Sequence, residues 1–237
     1  MDSQILVLAG AAASIGFIHT ALGPDHYIPF IALSKSQNWG KFKTVWVTVL
    51  SGLGHVGSSI LIGVFGYLIG ITLFSLESLE SIRGDVAGWL LIILGLLYTI
   101  WGLKKSINKE AHSHKHFHSD GTLHEHSHDH KHFNHAHVHE KKSSNTTPWV
   151  LFVIFVFGPC EPLIPLLIYP AVSHNFFAVT LISSIFAIVT IGTMLLIVFL
   201  GLYGLSFIPM EKIQKHIHTL SGLSILLCGI GIQFLGL

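Results

Sequence analysis

ILVLAGAAASIGFIHTALGPDHYIPFIAL, residues 5–33, is an apolar run of transmembrane length that carries His19, Asp25 and His26 in its middle. A helix crossing the hydrocarbon core needs about 20 mostly apolar residues. Ionisable groups at that depth are costly unless they pair, line a cavity or serve a function. Gly23-Pro24 precedes Asp25; proline lacks an N–H and its ring clashes with the preceding turn, so the carbonyl of Thr20 loses its helical partner. Such a break persists only where protein or a water-filled cavity satisfies the freed groups. His19 and His26 lie seven residues apart, two turns along one helical face, with Asp25 beside the second. Two imidazoles and a carboxylate facing one cavity match the donor set of a divalent transition metal such as nickel, cobalt or zinc. The competing reading is a kinked helix whose interior histidines bond backbone carbonyls.

Of the 237 residues, 51% are hydrophobic and only 11% charged, against about 25% charged in soluble domains. The composition therefore predicts an all-α integral membrane protein. Its six apolar segments predict six transmembrane helices sharing one bundle. The formal net charge of +1 gives no reason to expect a nucleic-acid partner. MDSQ at the start lacks a basic region, so no cleavable signal is expected and the first helix is retained. Cys160 and Cys228 both lie in apolar spans, which indicates no extracytoplasmic disulfide framework.

The second span, Phe42 to Phe74, holds His55 among Gly52, Gly54, Gly57, Ser58 and Ser59. Small residues let a neighbouring helix approach and leave room around the imidazole, which makes His55 a further candidate ligand. SLESLESIRGD, residues 75–85, reads as a loop, and the third span, Val86 to Leu103, has no charge and reads as scaffold. Residues 106–147 are polar and contain 12 of the 18 histidines. That tract cannot build a core; it is expected to be disordered, serving as a weak multisite metal buffer or as a plain solvated linker.

The fourth span, Pro148 to Ala171, contains Gly158-Pro159-Cys160-Glu161, which echoes Gly23-Pro24-Asp25-His26 of the first. Three spans per half place the halves in opposite orientation, so the expected architecture is a 3+3 inverted repeat. Broken helices one and four would then bracket a midplane site. Its units are residues 1–105, the His-rich loop 106–147, and residues 148–237. Glu161 is the one carboxylate within the second half's spans and must be paired, protonated or facing a cation. Cys160 is a soft donor or a packing residue. In the fifth span, Asn175 to Leu202, Ser183, Ser184, Thr190 and Thr193 suit helix contacts or a path lining; in the sixth, His218 to Leu237, Gly222, Gly229 and Gly231 suit packing. All twelve lysines fall on the first, third and fifth loops and only Arg83 on the other side. The positive-inside rule then puts both termini outside and the His-rich loop in the cytoplasm, in a bacterial inner membrane.

H-T-A-L-G-P-D-H at residues 19–26, followed by L-G-H-V-G at 53–57, resembles the nickel/cobalt permeases, especially their six-span UreH-like branch. That resemblance implies that His19, Asp25, His26 and His55 recognise metal. The longer permeases have His-x(4)-Asp-His and Leu-Gly-His-Ser, whereas five residues separate His19 from Asp25 here and Val56 replaces the serine. The His-rich loop is similar to that of nickel/cobalt efflux proteins. FGPCEPLIP, residues 157–165, looks instead like the proline-flanked cysteine of thiol-electron carriers related to cytochrome c biogenesis and TauE-type membrane proteins. Each half of such a carrier provides one cysteine; here Asp25 occupies the position matching Cys160, and Cys228 lies in the sixth span.

The expected activity is passage of a divalent metal ion across the lipid bilayer by alternating access, Ni2+ or Co2+ foremost and Zn2+ as the alternative. His19, His26 and His55 would donate nitrogen, Asp25 charge, and Cys160 a soft ligand, while Glu161 would complete the shell or exchange a proton. Ligands bind deprotonated, so affinity should fall as pH drops, which permits proton coupling. No resident cofactor, no covalent chemistry and no nucleotide-driven step are expected. Two other readings stay open: a thiol–disulfide electron carrier of the cytochrome c biogenesis type, and a membrane metal-delivery protein that does not transport.

Overall fold

The computed structural model describes residues 3–107, 113–117, 123–127, 146–208 and 213–235. The first apolar run divides at its Gly-Pro: α1 (Ser3–Leu22), a 3-10 turn (Pro24–His26) and α2 (Ile28–Ser36). Then come α3 (Lys41–Leu68), α4 (Leu73–Ile107), the strands β1 (Ser113–Phe117) and β2 (Leu123–Ser127), α5 (Thr146–Phe157), α6 (Leu163–Val172), α7 (Phe176–Ser206) and α8 (Ile217–Leu235). Among the described residues five helices are long and apolar enough to cross a membrane: α1, α3, α4, α7, and α8 with the turn before it. Large apolar side chains such as Leu6, Phe17, Trp46, Leu97, Ile188 and Leu200 point outward. The chain is an integral membrane protein whose surroundings are lipid.

Three expectations need adjustment. The fourth predicted span is two helices of 12 and 10 residues, neither long enough to cross alone, because Pro159 and Pro162 cannot donate to a continuous ladder. The predicted loop 75–85 is helical and belongs to α4, which runs 35 residues, or about 52 Å at 1.5 Å per residue. Its buried line Leu76, Glu80, Ala87, Leu91 follows helical spacing and carries a charge into the bundle. The tract expected to be disordered also holds one short β-ribbon between α4 and α5, outside the all-helical membrane part. There, β1 pairs antiparallel with β2, Ser113 opposite Ser127 and Phe117 opposite Leu123. The rest of the tract expected to be disordered, residues 108–112, 118–122 and 128–145, lies outside the described residues.

Glycine spacing explains the closest helix pair. Gly88, Gly95 and Gly102 recur every seven residues along α4, opposite Gly222 and Gly229 of α8. A Cβ on Gly95 would stand 2.3 Å from the backbone nitrogen of Leu226, and one on Gly222 would stand 2.4 Å from that of Thr99. Backbones this close gain dispersion contact that lipid tails cannot supply. Elsewhere α1 packs on α7, and α3 packs on both α5 and α7. Phe30, Leu33, Leu91, Leu151, Met194, Val198 and Ile225 form one core across five helices.

Candidate functional site

The break after α1 is satisfied locally. The Gly23 N–H still bonds the His19 carbonyl at 3.0 Å, and the Tyr27 hydroxyl reaches the Ala21 carbonyl at 3.5 Å. The short 3-10 turn swings His26 inward until it is almost wholly buried, next to His19 at the end of α1 and His55 on α3. One nitrogen from each of the three lies within 4.8 Å of the others. The His26 and His55 Nε2 atoms are 3.4 Å apart. Two ligands of one tetrahedral ion with metal–nitrogen bonds of about 2.0–2.1 Å would stand about 3.3–3.4 Å apart.

Asp25, expected to supply charge to the site, contacts His26 directly. Its Oδ1 lies 3.0 Å from His26 Nδ1, which also faces the Gly23 carbonyl at 3.2 Å. Both neighbours are acceptors, so Nδ1 carries the proton and donates, and Nε2 is left with its lone pair toward His55. His19 Nε2 and His55 Nδ1 are buried and meet no hydrogen-bond partner among the described residues. A Cβ on Gly23 would lie 2.5 Å from His26 Nδ1 and one on Gly158 would lie 2.9 Å from His55 Nδ1, so both breaks bring glycine against an imidazole. Phe155 of α5 stands edge-on to His26 at 6.4 Å between centroids and lies 6.1 Å from His55, closing that side with an apolar wall.

The second break does not deliver its predicted donors to this cluster. Glu161 is exposed. Cys160 is fully buried in an apolar cluster with Ala12, Val56, Leu163 and Phe186, and neither it nor Cys228 is bridged. The carboxylate that matters there is one read as part of a loop. Glu80 of α4 is fully buried, accepts the Cys160 N–H at 3.0 Å and the Ser59 hydroxyl at 2.9 Å, and pairs with Arg83. Arg83 in turn donates to the carbonyls of Val156 and Gly158 at 2.7 and 3.2 Å, groups that the α5 break releases. The sequence signal for this pair was available: Glu80 falls four residues after Leu76 and seven before Ala87, on the buried line of a helix.

Residues 28–231 match the family described as the cytochrome C biogenesis protein transmembrane region. The chain belongs to that family. No curated protein and no solved structure matches the chain. Membership in the cytochrome c biogenesis transmembrane family overturns the likeness to nickel/cobalt permeases drawn from H-T-A-L-G-P-D-H and L-G-H-V-G. The matched segment opens at Ile28, after His19, Asp25 and His26. The family therefore accounts for the helical scaffold from α2 to α8, while two of the three clustered imidazoles stand just ahead of it.

Proposed function

We propose that this member of the cytochrome c biogenesis transmembrane family uses its scaffold to bind a first-row transition-metal ion inside the bilayer and to pass it on across the membrane. The observation that carries this reading is the convergence of His19, His26 and His55. Imidazole nitrogens suit late first-row divalent ions, and the Asp25 carboxylate fixes His26 as a metal-ligating tautomer. The helix order supports a 3+3 inverted repeat: each half has a broken helix, α1/α2 or α5/α6, followed by two long ones. The packing exchanges between halves in the same sense, with α3 on α5, α7 on α1 and α4 on α8. The membrane is taken to be a bacterial inner membrane, and charge placement on the loops supports an orientation with the His-rich loop, residues 106–147, on the cytoplasmic side.

The ion is substrate here, and no covalent step is involved. His19, His26 and His55 would hold it, Phe155 excludes lipid and water from one side, and alternation of the two breaks would expose the site to each face in turn. Calorimetry with Zn2+ on the purified full chain, paired with Zn2+ flux in proteoliposomes, tests the reading. One high-affinity site per chain that disappears in His26→Ala, together with flux above protein-free vesicles, is the expected result. Binding without flux would replace transport by metal delivery, and absence of any such site would overturn both.

A second reading is favoured by the family itself and by Cys160 at the α5/α6 break: a thiol–disulfide relay, in which a dithiol is oxidised to a disulfide with release of two electrons and two protons. Such a relay needs a partner thiol for Cys160, and the matching place at the first break holds Asp25. Mass spectrometry of the chain after thiol trapping decides it. A Cys160–Cys228 disulfide that forms on exposure to a disulfide oxidant, which takes up the two electrons and two protons, and is reopened by a dithiol reductant would favour the relay over the metal.

A further inference from the structure

One face of α3 is polar from Thr44 to Ser59. Thr44, Thr48, Ser51, His55 and Ser59 follow steps of four, three, four and four residues, and each is at most 1% exposed. A buried helix face at this depth is normally apolar. The two halves of this line are treated differently. Beyond His55, every hydroxyl is taken up: Ser58 donates to the His55 carbonyl at 2.8 Å and accepts from Arg83 at 2.6 Å. Ser59 donates to Glu80 at 2.9 Å and accepts from Arg83 at 3.2 Å.

Before His55 the pattern reverses. Thr48 Oγ1 and Ser51 Oγ are fully buried and meet no partner among the described residues. So is Thr190 of α7, whose neighbour Ile191 meets Gly52 on this half of α3. Thr190 Oγ1 lies 3.4 Å from where a Cβ on Gly16 would stand, one turn ahead of His19. These are not hydroxyls absorbed by their own helices, as Thr20 is by the Gly16 carbonyl at 2.7 Å and Thr99 by that of Gly95 at 2.6 Å. Unmet hydroxyls inside a membrane protein need a polar guest, either water or an ion. From His55 the line runs about 10 Å to Thr48 at 1.5 Å per residue. It ends at Thr44, whose hydroxyl meets Ser34 at 2.8 Å beside the α2–α3 turn.

We infer that a hydrated cation path runs along this face of α3, linking the three-histidine site to the side of the membrane that holds the α2–α3 turn, with the opposite side sealed by Glu80 and Arg83. Thr48, Ser51 and Thr190 line it, supplying hydroxyl oxygens to a partly hydrated divalent cation between bulk water and the imidazoles. On the far side, the Arg83 guanidinium opposes a cation and occupies the Ser58 and Ser59 hydroxyls of α3. The identity of the ion rests on the metal reading of the histidines; the hydrated path does not.

The test is thiol accessibility in the full chain with Cys160 and Cys228 replaced by serine, reconstituted in one orientation. Thr48→Cys, Ser51→Cys and Ser59→Cys are exposed to a small, charged, membrane-impermeant methanethiosulfonate reagent from each side. Cysteine at 48 and at 51 should react from the α2–α3 side at least tenfold faster than from the other, and at least tenfold faster than cysteine at 59. Saturating Zn2+ should slow modification at 51 severalfold. Unreactive thiols at 48 and 51, or faster reaction from the opposite side, overturn the path whether or not Zn2+ binds. One-sided reaction that Zn2+ leaves unchanged upholds the path and overturns the metal reading beneath it. Since Ser59→Cys disturbs the Arg83 network and can misfold, Thr190→Cys supplies an independent position on α7 that must follow 48 and 51.

Discussion

Replacing Glu80 by alanine should be among the most damaging single changes to this protein, although Glu80 lies outside the histidine cluster. The side chain is fully buried, and its partner Arg83 is only 13% exposed. Truncation leaves the guanidinium without its counter-charge, and strips the Ser59 hydroxyl and the Cys160 N–H of their shared acceptor. Breaking a buried pair by removing one partner costs about 3–5 kcal/mol, whereas a solvent-exposed pair is worth about 0–1 kcal/mol. Against a total stability of about 5–15 kcal/mol, that is about a fifth of the margin or more. The assay is reversible unfolding in mixed micelles titrated with SDS, followed by tryptophan fluorescence, with Glu77→Ala on the exposed side of α4 as control. The loss in Glu80→Ala/Arg83→Ala should fall well short of the sum of the single losses, because the two residues share one interaction. A cost for Glu80→Ala within about 1 kcal/mol of the exposed control, or strictly additive losses, would refute the role assigned to the pair.

Asp25→Asn should keep one Zn2+ site per chain while weakening it about 10–100-fold, the usual effect of losing a carboxylate that orients a ligating histidine; calorimetry showing unchanged affinity would free Asp25 of that role. Gly95→Val should loosen the α4–α8 pair in the same SDS titration, since its Cβ would stand 2.3 Å from backbone. Gly10→Val, where nothing lies within 4 Å, should not. Glu161→Gln should leave Zn2+ affinity within about threefold of the parent, because the carboxylate is exposed rather than turned toward the imidazoles. A tenfold loss on calorimetry, about 1.4 kcal/mol, would return Glu161 to the site.

Much of this protein is legible without coordinates, because in lipid the rules are few. Length and apolarity mark helices, since backbone groups must be satisfied within the segment, and proline after glycine marks the breaks at Pro24 and Pro159, since neither residue can donate. His19, Asp25, His26 and His55 stand out because charge and imidazole are rare in apolar spans. What a linear pattern cannot carry is which way a side chain turns once the helix is broken. The 3-10 turn at Pro24–His26 aims His26 at His55 and Asp25 at His26, so two residues adjacent in sequence face different partners. Glu161 looked like the costly buried carboxylate of the second half, yet its break turns it outward. Glu80, in a stretch polar enough to read as a loop, is buried by continuation of α4 into the bundle. Local chemistry dictated where the chain crosses and where it breaks; only packing between helices far apart in sequence decided which polar groups meet, because a buried charge settles wherever the fold supplies partners.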